Sequence, residues 1–310
     1  MDLSSINWLL LTASLMVAST PILLAALGEL VVERAGVLNL GVEGMMIVGA
    51  VAGFVAGLET QSATLGFAAA ALGGAGLSLL FGVLTQVLMS NQVATGLALT
   101  LFGLGLSALL GQGYIGIRGV EVPDVNWGPV ADLPGLGVVL FRHDAMVYLS
   151  LLFCFAIWYF LSRTRGGLIL RAVGESAEAA HALGYKVVRI RLAAIAFGGA
   201  CAGLGGAYIS LVRVPQWTEG MTAGAGWIAL ALVVFAAWRP GRLLLGAYLF
   251  GGLTVLQLNL QAAGIAIPVE YLSMSPYILT ILVLVVMSSG RARAALGAPA
   301  ALGKSFHAAA

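Results

Sequence analysis

The sequence predicts an all-α, polytopic membrane protein of about nine transmembrane helices, with eight to ten as the range its apolar runs permit. Three observations carry that prediction. Hydrophobic residues make up 60% of the 310-residue chain, charged residues only 9%, and mean hydropathy is +1.02; soluble domains carry about 25% charged residues. The apolar residues gather into runs of about 18 or more, the length at which a helix crosses a bilayer. The few Lys and Arg residues are spread unevenly between those runs, as a fixed membrane orientation requires. A net charge of +2 does not point to nucleic acid. Cys154 and Cys201 both lie inside apolar runs, so neither a disulfide framework nor a zinc site is expected.

In chain order, spans are expected at about 6–27, 42–58, 64–88, 92–111, 145–162, 190–211, 224–238, 243–262 and 272–289. The N-terminal text MDLSSINWLL lacks the basic stretch of a cleavable signal peptide, so the first run is read as a retained helix. The second and seventh spans are the shortest, and both begin in glycine-containing text, NLGVEG (39–44) and TAGAGW (222–227). Close packing explains most of the 42 glycines. For these two clusters a cavity is favoured, because exposed backbone at membrane depth is tolerated only beside protein or a water-filled path. A shift of about 180 residues lays EGMMIVGAVAGF (43–54) over GWIALALVVFAAW (226–238), and LGFAAAALGGAGL (65–77) over LGAYLFGGLTVL (245–256). The corresponding spans are five apart, so the second copy is inverted in the membrane. Residues 1–290 are then one transmembrane domain, with halves at about 6–111 and 190–289. The span 145–162 and the loop 163–191 join them, and 291–310 form a tail.

Orientation follows from charge. With the N-terminus outside and the C-terminus cytoplasmic, only Arg118, Arg142 and Arg213 of the fifteen basic residues remain outside. Trp158 and Trp238 then fall near the cytoplasmic interface and Trp8 near the outer one. The longest outer segment, 112–144, holds Trp127 and is either a cover for the outer mouth or a connector.

The most distinctive cytoplasmic stretch is RAVGESAEAAHALGYKVVRIR (171–191). Glu175 or Ser176 is placed to cap a short helix reaching Leu183, and Gly184 to end it. Glu178 sits in its first turn. Ala177, Ala180 and Leu183 share one small, nearly flat face, while His181 points elsewhere. A helix this short does not stand alone, so its own protein or a partner must hold it.

GELVVERAGVLNLGVEG (28–44) carries Glu29, Glu33, Arg34 and Glu43. A charge at the bilayer centre costs at least about 2.5–3.5 kcal/mol, so these groups must be paired, interfacial or in a cavity. One reading is a cytoplasmic elbow built from Glu29, Glu33 and Arg34, with Arg34 paired to Glu29, Glu43 or a partner subunit. The other places Asn39 or Glu43 on a translocation path. Asn91, Gln92 and Thr95 open the fourth span with groups suited either to a ligand's hydroxyls or to helix capping. Trp227 is either a stacking platform or an interfacial anchor, and Glu270 and Tyr271 sit at the outer mouth. GAPAALGKS (297–305) approaches a phosphate-binding loop, yet five residues rather than four separate its glycines. It is read as a basic tail.

GELVVERAGVLNLGVEGMMIVGA (28–50) and RAVGESAEAAHALGYKVVRIR, with SNQVATGLALTL (90–101) and AGWIALALVVFAAWRPGRLLLGA (225–247), resemble the membrane permeases of bacterial ABC importers. The resemblance is to the branched-chain amino acid/ribose-type superfamily, in particular its nucleoside and simple-sugar subgroup. It implies a non-catalytic, multi-pass subunit of the inner membrane that translocates nucleosides, with simple sugars or branched-chain amino acids as alternatives. It also implies that Arg171, Glu175, Ala177, Ala180, His181, Leu183 and Gly184 couple the permease to a separate ATPase, with the alanines in the docking face. ATP and Mg would be bound by that ATPase, and no cofactor or metal by this chain. The implied partners are the ATPase, a second permease subunit forming a heterodimer, an extracytoplasmic substrate-binding protein and membrane lipid.

An embedded enzyme fits poorly: His143, His181 and His307 are scattered, and neither HExxH nor GxSxG occurs. An ion-coupled secondary transporter would need a buried coupling carboxylate, and spans three, five, six and eight hold none in their interiors.

Overall fold

A computed structural model describes residues 8–134, 136–262 and 297–307, with the isolated positions 274, 278, 281, 282 and 285. Local chemistry starts many of the helices. Ser62, Asn91, Asp144, Thr164 and Ser176 each accept a backbone N–H from the first turn of the helix that follows, the favoured chemistry for that position. The helices are α1 (Trp8–Arg34), α2 (Val42–Thr60), α3 (Ala63–Gly82), α4 (Gln92–Gly111), α5 (Leu136–Leu140), α6 (Ala145–Arg163), α7 (Arg165–Glu175), α8 (Ala177–Ala182), α9 (Val187–Tyr208), α10 (Ala225–Phe235) and α11 (Pro240–Ala262). Helices α3 and α9 each run on into a wider π turn, at Val83–Val87 and Ile209–Arg213. Among the described residues there are no β-strands, only three isolated bridges.

Seven of these helices are long and apolar enough to cross a membrane. Three expectations need correction or restriction. The span expected at 224–238 is an eleven-residue helix, α10. At 1.5 Å per residue it rises about 16 Å, half of a hydrocarbon core of about 30 Å, and the backbone then turns through positive φ at Ala237 and Trp238. The first helix continues past residue 27 to Arg34, so Glu29 and Glu33 lie within it rather than in an elbow after it. The ninth expected span, 272–289, lies almost wholly outside the described residues, as do Glu270 and Tyr271.

The bundle has two layers. Helices α1, α2 and α9 are largely enclosed by protein, while α3, α4, α6 and α11 leave long apolar side chains such as Leu72, Leu101, Phe155 and Leu245 exposed. That is the pattern of helices facing lipid. Small residues let the inner backbones approach closely: a Cβ on Gly49 would lie 2.2 Å from the Cα of Gly203. Helix α1 packs on α9 at the centre. Around that pair α3 packs on α9 as α11 packs on α1, and α2 packs on α9 as α10 packs on α1. The segment after α4 folds back over the end of α9, where Gly119 N donates to Pro215 O at 2.8 Å.

Candidate functional site

The site begins where the chain turns after α1 and re-enters the bundle. Residues 37–41 are not helical and are buried or partly buried, so their backbone groups need partners within the protein. Side chains of α1 and α4 supply them. Asn39 N donates to Glu29 Oε1 at 3.3 Å, Leu38 N to Gln92 Oε1 at 2.8 Å, and Thr100 Oγ1 to Leu40 O at 3.1 Å. Asn39 Oδ1 accepts from Gly41 N at 2.9 Å, closing the turn into α2.

Glu43, in the first turn of α2, is buried and faces the start of α10. Its carboxylate accepts from Thr222 Oγ1 at 2.6 Å, Gly224 N at 2.9 Å and Gly226 N at 2.6 Å. No side chain of α10's own flank caps it, so Glu43 takes that role from another helix and complements the positive end of the helix dipole. Sequence dictates the close fit. Gly224 has φ +84°, and a Cβ on Gly226 would lie 2.5 Å from the Cα of Glu43. The two glycine clusters, expected to border a cavity, instead pack against each other, because the missing side chains let the two helix starts touch.

The other end of α10 is also held by the first half. The Trp238 indole Nε1 donates to Glu33 Oε2. Arg34 donates to Trp238 O from Nε and Nη2, at 3.3 and 3.0 Å, and from Nη1 to Gly297 O at 3.0 Å. Arg34 thus binds backbone carbonyls, not Glu29 or Glu43.

At this same basic end, α8 forms where the sequence predicted. Ser176 caps it, accepting from Ala179 N at 3.2 Å, and Gly184 leaves it at φ +88°. The preceding helix α7 was not foreseen. The shared face expected for Ala177, Ala180 and Leu183 is divided: Ala177 and Ala180 are buried with Val173, Val187 and Phe306, whereas Leu183 is 75% exposed. Six residues make under two turns, so Leu183 leaves the helix at its C-terminal boundary and escapes the alanine stripe. The surface open to a partner comprises Glu178, Ala179, His181, Ala182, Leu183 and Gly184, with Arg171 and Glu175 beside it on α7.

The stretch read as a tail with a basic residue, and not as a phosphate-binding loop, is wedged into this end. Its GAPAALGKS stretch forms turns. Ala301 N donates to Gly174 O at 2.9 Å, Gly303 N to Gly36 O at 3.2 Å, and Ala300 N to Glu175 Oε2 at 3.4 Å. Phe306 is buried, with its ring 5.4 Å from that of His181. The hub is Arg191, fully buried in the first turns of α9. It donates to Ala35 O at 3.2 Å, Gln86 Oε1 at 3.2 Å and Lys304 O at 3.1 Å. Sequence reading counted Arg191 only as a cytoplasmic charge; as the last of three cations in KVVRIR, immediately before the apolar run, it carried no signal that set it apart from Lys186 and Arg189.

The remaining candidates do not converge on Glu43. Asn91 caps α4, accepting from Ala94 N at 3.0 Å, and Thr95 bonds Ser90 at 2.8 Å. Gln92 braces the re-entrant segment and keeps a buried Nε2 without a partner. Trp227 is 39% exposed, one residue past the Glu43 contact. A buried pair at the opposite end, Tyr208 donating to Asp144 Oδ2 at 2.7 Å, was also missed. Among the described residues no three His, Cys, Asp or Glu side chains group as a metal site.

An all-helical bundle whose halves clasp a broken helix is suited to moving a solute, and comparison with known proteins agrees. Residues 11–287 match the family described as the branched-chain amino acid transport system / permease component. The chain belongs to this permease family. It is 46% identical over 254 residues to TsgC13 of Haloferax volcanii, whose name provisionally gives a glucose ABC transporter permease; the match covers 81% of this chain and 77% of that one. It is 32% identical to the nucleoside ABC transporter permease protein NupC of Lactococcus lactis, over 89% of this chain and 91% of that one. It is 33% identical to the guanosine ABC transporter permease protein NupQ of Bacillus subtilis, over 92% and 93%. No solved structure matches. The permease is therefore a multi-pass inner-membrane transport subunit of the ABC permease kind.

Proposed function

We propose that the permease forms the translocation path of an ATP-driven nucleoside importer, coupled to a separate ATPase that binds ATP and Mg. The observation that carries this reading is the clamping of α10 at both ends by the first half, through Glu43 at its start and through Glu33 and Arg34 at its close. A push on α8 reaches α1 through the Gly174, Ala301 and Arg191 contacts. From α1 it reaches both ends of α10, so the short helix moves with the lever. The basic end is cytoplasmic by its Lys and Arg content. The packing of α3 and α2 on α9, matched by that of α11 and α10 on α1, supports the inverted repeat, with nine spans when the segment after 270 is counted. A second permease subunit and an extracytoplasmic substrate-binding protein complete the assembly.

Nucleosides are favoured because NupC and NupQ align over nearly their whole lengths. Glucose is the second reading, on the higher identity to TsgC13. Competition of labelled guanosine uptake by unlabelled guanosine and by glucose, in vesicles containing the complete transporter, decides between them. Uptake that follows an ion gradient and ignores ATP would sink the coupling itself. Docking is tested at the open face: Leu183→Asp is expected to leave folding within about 0.5 kcal/mol yet abolish co-purification of the ATPase.

A further inference from the structure

At the basic end, a cavity of about 430 Å³ opens between the end of α6, the middle of α7 and the start of α11. Four guanidinium groups line it: Arg34, Arg171, Arg239 and Arg242. Among the described residues none of the four lies within ion-pair distance of a carboxylate. Of the acids on the adjoining helix ends, Glu33 is bonded to the Trp238 indole, and Glu175, which also accepts from Ala300 N, partly offsets the charge of Arg34 from beyond ion-pair distance. Arg34 spends its donors on two carbonyls, but Arg171 Nε is buried with no partner. Like charges gathered in one cavity repel, and an unpartnered buried donor is costly. One carboxylate at that distance against four guanidiniums leaves the cavity with an excess of positive charge.

We propose that this cavity binds a phosphate group, carried either by an anionic phospholipid headgroup or by free phosphate. Several planar guanidinium forks suit the oxygens of a phosphate. The start of α11 adds first-turn N–H groups and the positive end of a helix dipole, and a Cβ at Gly241 would meet nothing within 4 Å, so that terminus is open. The surroundings fit a lipid as the source. Trp158 lies on the rim, half exposed, at the depth where aromatic anchors sit. Above it the exposed faces of Phe155 and Leu152 on α6 and of Leu245 and Leu249 on α11 provide apolar tracks for two acyl chains. The site joins α1, α7 and α11, so a bound phosphate would tie the lever to the bundle.

The test uses the purified full chain in detergent, with thermal unfolding followed at matched ionic strength. Phosphatidylglycerol is expected to bind about tenfold tighter than phosphatidylcholine. Arg171→Gln with Arg239→Gln should erase the preference, while Arg163→Gln with Arg189→Gln, at the same end but outside the cavity, should keep it. If inorganic phosphate displaces phosphatidylglycerol and stabilises equally, the source is free phosphate; if phosphatidylglycerol alone acts, the source is lipid. The proposal is overturned if neither acts better than phosphatidylcholine or chloride. A preference that survives the cavity substitutions overturns it too. The unsubstituted protein gives a reading independent of folding defects: phosphatidylglycerol or phosphate must protect Arg171, Arg239 or Arg242 from phenylglyoxal, and equal labelling with and without them overturns the site.

Discussion

Charged side chains meet the start of a second-half helix at two places, and the two are built in opposite ways. At α10 a single carboxylate, Glu43, is buried against three donors and fully used. At α11 four guanidiniums border an open cavity, and one of their donors is buried with nothing to bond. The first arrangement is closed and mechanical: it fixes where a half-length helix begins. The second keeps an excess of positive charge. Burial with satisfied hydrogen bonds marks a strut, whereas like charge left unanswered marks a site.

The strongest way to break the contrast is Glu43→Ala. It leaves Thr222, Gly224 N and Gly226 N without their acceptor; at about 1–3 kcal/mol for each buried donor left unsatisfied, the largest destabilisation of the set is expected, with loss of ATP-driven uptake, read by thermal unfolding and vesicle transport. Glu43→Gln keeps the shape and one acceptor oxygen, so a smaller loss should follow; equal stability of both variants would show that the junction is not a strut. Gly226→Ala drives a Cβ into the backbone of Glu43. The expected cost is about 1–3 kcal/mol, with uptake reduced more than ATPase binding. Arg191→Gln removes three bonds that join α9 to the turn after α1, to Gln86 and to the tail. A loss of about 1.5–3 kcal/mol and faster proteolysis of the 297–307 tail are expected. Arg242→Gln in the open cavity should change stability least, within about 0.5 kcal/mol without added lipid, because it breaks no bond among the described residues.

Several elements of this architecture were legible as text. Apolar run length gave the long helices, and Ser176 and Gly184 bounded α8 correctly because capping is a local matter. The clusters NLGVEG and TAGAGW were singled out as the exceptional glycine text, but for a cavity; in the structure they pack directly against each other, a contact that glycine permits. Other features depended on contacts far apart in the chain. Arg34 pairs with carbonyls 204 and 263 residues away, which no spacing rule encodes. The alanine face of α8 looked free for docking, yet Val173, Val187 and Phe306 cover it. A short apolar stripe reads the same whether its own protein or a partner buries it.

By itself the sequence determined that the chain is a membrane-embedded helical bundle with one charged, capped segment between its apolar runs, because hydrophobic run length, helix caps and the placement of Lys and Arg are properties of neighbouring residues. Only the tertiary structure decided that α10 stops halfway, that Glu43 supplies its missing cap, that the tail is wedged beside α8, and that four arginines share a cavity. Each of those depends on which distant side chain satisfies a buried donor or charge, and that pairing exists only after the helices have packed.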